Sequence, residues 1–105
     1  MELAAAVLSF SALGHPPRLE VFRLLLHAGP VGMAAGDIAR ETGAHQNTLS
    51  SNLSILTAAG LIAPRREGRS IIYTAVNERL GDLVAFLMEE SAPEALGTAR
   101  QPSGK

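Results

Sequence analysis

Residues 35–73 read AGDIARETGAHQNTLSSNLSILTAAGLIAPRREGRSIIY, and two changes of pattern inside that stretch decide the fold. A short helical segment over residues 35–42 stops at Gly43, a residue free to take positive φ. A second helical segment covers residues 46–59 and closes at Gly60. The period then changes from helical to alternating. Residues 61–66 and 70–76 predict two strands around a Glu67-Gly68-Arg69 turn, with Ile71, Ile72 and Tyr73 as good strand formers. Ala39 and Gly43, four residues apart, are expected to let the two helices meet at a steep angle without a Cβ clash.

The second helix has two unlike faces. At about 100° per residue, Leu49, Leu53 and Leu56 fall within a narrow arc. The opposite arc holds Asn47, Ser50, Ser51 and Ser54, with Gln46 and Thr48 at its flanks near the helix start. A solvent face selected for helix stability carries Glu, Lys and Arg. This one is uncharged and built of short hydrogen-bonding side chains that are mediocre helix formers. The amides of Gln46 and Asn47 suit bidentate bonding to adenine, and Thr48 and Ser50 can reach bases or phosphates. The first turns of a recognition helix are where base edges are met. The bland alternative is a merely polar surface.

Arg65, Arg66 and Arg69 bracket the hairpin turn, so a two-stranded ribbon would project three guanidinium groups toward phosphates or an adjacent minor groove. Strand alternation turns Tyr73 toward the domain, as a packed aromatic. Residues 45–77 carry three Arg against one Glu, while residues 78–105 carry three basic and five acidic residues. The net charge is −1, so a local basic patch on a near-neutral body suits selective contact better than bulk adhesion to nucleic acid.

Working outward, a first helix is expected over residues 3–13, ended by Gly14 and the His15-Pro16-Pro17 run. The next helix, residues 17–27, places Leu19, Phe22, Leu25 and Leu26 on one stripe before Ala28-Gly29-Pro30. A last helix covers residues 78–90, and residues 93–105 have the composition of a disordered tail. The chain is 105 residues long with 47% hydrophobic residues, four aromatic side chains and no Cys or Trp. One domain over residues 1–92 follows, mainly α with a small β-hairpin: five helices plus a two-stranded wing. The helix-turn-helix would occupy residues 34–59 and the wing residues 61–76. No apolar run is long enough to span a bilayer, and the amino end lacks the basic stretch of an export signal, so a cytoplasmic location is expected.

The segments FSALGHPPRLEVFRLLL, AAGDIARETGAHQNTLSSNLSILTAAGLI and RREGRSIIY resemble the ArsR/SmtB family of bacterial winged-helix repressors, over roughly Phe10 to Met88. The resemblance implies a homodimer on an imperfect palindrome in a promoter, released when an effector binds. It further implies that Gln46, Asn47, Thr48, Ser50, Ser51 and Asn52 line the recognition helix and that Arg65 to Arg69 lie on the wing. Two departures matter. Where many members have basic or His residues, this chain has Ser51, Asn52 and Ser54, which leaves phosphate affinity to the wing and to Arg18, Arg23 or Arg40. Where metal-sensing members carry a Cys-x-Cys pair, this chain has Ala34 and Gly36, and where others place cysteines after the last helix it reads Ser91-Ala92.

No sensor metal is therefore expected. Trivalent arsenic needs thiolates, and the last helix offers Asp82, Glu89 and Glu90 without a His. His15, His27 and His45 fall in three separate elements. No cofactor is expected, and catalytic motifs such as G-x-S-x-G, H-E-x-x-H or a phosphate-cradling Gly-rich loop are absent, so the chain is not read as an enzyme. The last helix carries Leu80, Leu83, Val84 and Leu87 on one stripe with Phe86 and Met88 off it, and the first carries Leu3, Val7 and Phe10 with Leu8 off it. That apolar excess points to first and last helices packing across a two-fold axis, with Leu3, Val7, Phe10, Leu80, Leu83, Val84 and Leu87 at the interface. The expected partners are promoter DNA and a second copy of the chain, with an unidentified, non-thiol effector and no membrane. Two competing readings are a winged-helix protein-interaction module without DNA binding and a metal sensor built from carboxylates and His.

Overall fold

The computed structural model describes residues 1–89. The expected tail from residue 93, with Glu90, Ser91 and Ala92, lies outside them. The elements run α1 (Leu3–Leu13), α2 (Pro16–Ala28), a 3-10 turn (Gly29–Val31), β1 (Met33–Ala34), α3 (Ala35–Thr42), α4 (Gln46–Ala58), β2 (Ile62–Glu67), β3 (Ser70–Ala75) and α5 (Asn77–Glu89).

Local chemistry sets these boundaries. Pro16 and Pro17 open α2 at its first two positions, where no intrahelical N–H partner is needed, and His15 before them takes the extended conformation (φ −130°, ψ 120°) that a following proline favours. Gly43 ends α3 in the left-handed conformation (φ 73°), its N–H donating to the Ala39 carbonyl at 2.8 Å. Nothing would lie within 4 Å of a Cβ at Gly43, so glycine is needed there for its backbone angle and not, as the sequence suggested, to avoid a clash. The end of α4 is a Schellman motif: Leu61 N–H donates to Leu56 O and Gly60 N–H to Thr57 O, both at 3.0 Å. Leu56 and Leu61 are both buried, which adds the apolar contact that accompanies this motif.

The wing belongs to a three-stranded antiparallel sheet of order β1-β3-β2, one strand more than the two expected. Met33 pairs with Tyr73 and Ala34 with Ile72, so the segment before α3 is stitched to the wing. Between β2 and β3 the register runs from Ile62 opposite Ala75 to Glu67 opposite Ser70. Gly68 and Arg69 form the loop, and Gly68 supplies the positive φ (61°) that a tight hairpin of type II′ requires at its first loop position.

The core gathers Val21, Phe22 and Leu25 of α2, Ile38 of α3, Leu49, Leu53 and Leu56 of α4, Leu61, Ile62 and Leu83. Tyr73 packs against it as expected. Leu19 does not: it is 41% exposed, and Val21 takes the buried place on α2. The fully buried face of α1 is Ala6, Ser9 and Ala12, with Leu13 packing on the core at its end, while Leu3, Val7, Leu8 and Phe10 stay exposed. On α5 the expected single stripe is split. Leu83 is only 2% exposed and belongs to this chain's own core, which removes it from the set available to a second copy. Leu80 and Phe86 pack on the core from its edge, while Val84 and Leu87 face outward.

Candidate nucleic-acid interface

The α3–Gly43–α4 corner presents the amino end of α4 outward. Gln46, Asn47, Thr48, Ser50, Ser51 and Ser54 are all exposed, and no residue of α4 is charged. Thr42 ties the corner together, its Oγ1 donating to Ile38 O at 2.8 Å and accepting from Ala44 N at 3.4 Å. His45 is the N-cap residue of α4, but its side chain makes no capping bond. The first backbone N–H groups of α4 therefore remain open alongside Gln46, Asn47 and Thr48.

Asn52 departs from the expected set. It is 5% exposed and faces inward, where its Oδ1 accepts from Arg18 Nη1 at 3.4 Å. Positions 49, 52, 53 and 56 follow the i, i+3, i+4, i+7 spacing of a buried helix face, and that spacing was the sequence signal for its orientation. Arg18 is equally committed, since its Nε donates to Ala12 O at 2.7 Å. Arg40 pairs with Asp37 one turn earlier on α3.

The three wing arginines do not act alike. Arg65 donates through Nη1 to Pro30 O and through Nη2 to Val31 O, both at 3.0 Å, and through Nε to Glu67 Oε2 at 2.9 Å. It fastens the wing to the turn after α2. The alternation of a strand separates Arg65 from Arg66, which sits on the other face of the ribbon. Among the described residues, Arg66 and Arg69 are exposed and have no hydrogen-bond or ion-pair partner. Also among these residues, no three His, Cys, Asp or Glu side chains gather as a metal site would need, and no helix is long and apolar enough to cross a membrane.

A neutral hydrogen-bonding helix face beside a hairpin with two uncommitted guanidiniums, carried on this order of elements, defines a winged helix-turn-helix DNA-binding regulator. A helix-turn-helix domain family matches residues 13–65. The HTH-type transcriptional regulator YgaV of Escherichia coli is 34% identical over 92 residues, covering 88% of this chain and 89% of that one. The ArsR-like transcriptional regulator from Rhodococcus sp. RHA1 superposes with a TM-score of 0.77 at 26% identity, over 85% of this chain and 81% of the other. The homodimeric winged helix-turn-helix DNA-binding domain of a possible ArsR-family regulator from Mycobacterium bovis superposes with a TM-score of 0.68 at 33% identity, over 84% and 82%. This chain belongs to the ArsR family of winged helix-turn-helix transcriptional regulators. Members of that family regulate transcription and are not enzymes.

Proposed function

We propose that the chain acts in the cytoplasm as a homodimeric repressor, seated on an imperfect palindrome in a promoter and released by a signal that does not use thiols. The observation that carries this reading is the exposed face of α4, uncharged and rich in amides and hydroxyls, set beside Arg66 and Arg69. Gln46 and Asn47 would read base edges in the major groove, with Thr48, Ser50 and Ser51 in support. Arg66 and Arg69 would hold phosphates flanking the site, and the open N–H groups of α4 favour a phosphate near its amino end.

The homodimer is supported by the outward Leu3, Val7, Leu8 and Phe10 of α1 and Val84 of α5, an apolar excess that a monomer would leave in water. The homodimeric state of the Mycobacterium bovis domain lends it further weight. Two-fold symmetry would set the recognition helices about 34 Å apart, one turn of duplex. A mobility-shift titration with the DNA upstream of the gene tests the reading. It predicts one retarded complex of two chains per duplex, resistant to excess random DNA. A retarded complex that random-sequence DNA competes away as readily as the specific duplex, or no retardation at all, would contradict it.

A further inference from the structure

The recognition helix is fastened to α1 at two points, and both fasteners are polar. Ser9 of α1, fully buried, donates from Oγ to the carbonyl of Ala59 at the end of α4, at 3.3 Å. Arg18 spans the other gap: its Nε donates to Ala12 O at 2.7 Å, in the last turn of α1, and its Nη1 donates to Asn52 Oδ1 in the middle of α4 at 3.4 Å. The last carbonyls of a helix carry the negative end of its dipole, so a guanidinium is well placed against Ala12.

Asn52 and Ala59 are seven residues apart, which is within about 20° of two full turns and about 10 Å along the helix. The two fasteners thus lie on one stripe of α4, directly behind its outward polar face. Added to the core packing of Leu49, Leu53 and Leu56, two polar bonds on a common stripe constrain both the tilt of the helix and its rotation about its own axis. The partner of this stripe, α1, turns its other side outward with Leu3, Val7, Leu8 and Phe10. A buried amide such as Asn52 contributes less to stability than a leucine of similar size would, so its value lies in the direction its bond imposes.

We propose that Arg18 and Asn52 are positioning residues: they index each recognition helix to α1, and through α1 to the two-fold axis, so that the spacing between half-sites is read by this clasp. The inference rests on the homodimer reading above. Neither side chain touches DNA in this scheme.

The test measures binding of the full chain, by fluorescence anisotropy at fixed salt, to the mapped operator and to the same duplex with one base pair inserted between the half-sites. Wild type should prefer the unmodified operator. Asn52→Ala, and Arg18→Lys, which keeps the charge but not the two-pronged reach, should each shrink that preference about tenfold. Affinity for random duplex should hold within about twofold, and the protein should remain a dimer. Asn52→Asp retains an acceptor for Arg18 and should restore the preference, which a purely packing role would not produce. Should Asn52→Ala fail to fold, Arg18→Met combined with Asn52→Leu replaces the pair by apolar volume and should show the same lost preference. Full retention of the preference in these variants, or no rescue by Asn52→Asp, overturns the clasp while leaving the homodimer reading intact. Absence of any spacing preference in the wild type would instead overturn both.

Discussion

Arg65 on the wing donates to the carbonyl of Pro30 at 3.0 Å, a bond that reaches back 35 residues to the turn between α2 and β1. That bond separates Arg65 from its neighbours in role, although sequence alone groups it with them. Arg66→Ala and Arg69→Ala should each lower the slope of log affinity against log salt by about 0.9, with little change in stability. Arg65→Ala should leave that slope nearly unchanged and cost about 1 kcal/mol in urea unfolding, because its bonds are partly exposed to water. Salt titrations of binding check the first outcome and denaturation the second. Equal slopes for wild type and the Arg66 and Arg69 variants would remove the wing from the DNA contact.

Gly32 has the tightest surroundings of the described glycines. A Cβ there would meet Tyr73 O at 2.5 Å and the Ile72 and Thr74 Cγ2 atoms at 2.7 Å, with φ at 69°. Gly32→Ala should therefore cost about 3 kcal/mol or more, since the backbone oxygen cannot move without breaking the β1–β3 pairing. Gly68→Ala, where nothing lies within 4 Å at φ 61°, should cost only about 1–2 kcal/mol. Thermal or chemical unfolding ranks the two, and the reverse order would contradict the account.

Much of this fold was legible because its breaks are chemical. Gly14, Gly43 and Gly60 and the paired prolines mark helix ends on any reading, and the expected α3 over residues 35–42 matches Ala35–Thr42. Strand β1 was not legible: two residues, Met33 and Ala34, have no period, and only long-range pairing with β3 makes them a strand. Asn52 was misplaced because an amide on a helix of amides and hydroxyls looks like its neighbours, although its position completes the spacing of Leu49, Leu53 and Leu56. The inner face of α1 escaped notice for the opposite reason. It is made of Ala and Ser, so the larger residues that drew attention as a stripe are the ones left outside.

The division of α5 makes a paired prediction. Val7→Glu, on the outer face of α1, should shift sedimentation toward the 11.0 kDa single chain without unfolding it. Leu83→Ala should instead destabilise the fold by about 2–5 kcal/mol through a core cavity, with association following only from the loss of folded protein. A Val7→Glu protein that still sediments as a dimer would place the two-fold contact elsewhere.

Base reading is expected to concentrate at the start of α4, where Gln46 and Asn47 are exposed. Asn47→Ala should reduce preference for the operator over single-base variants by about tenfold at one position, and leave random-DNA affinity nearly unchanged. Competition binding against a panel of singly substituted operators measures it. A uniform loss across the panel would identify Asn47 as a phosphate contact instead.

Hydroxyl-radical footprinting of the DNA upstream of the gene, at moderate ionic strength, addresses the central claim without any variant. Two protected stretches related by two-fold symmetry, with centres about 10 base pairs apart, are the predicted result. A single unpaired stretch of protection, or cleavage that is uniform throughout, would contradict a pair of recognition helices held one duplex turn apart.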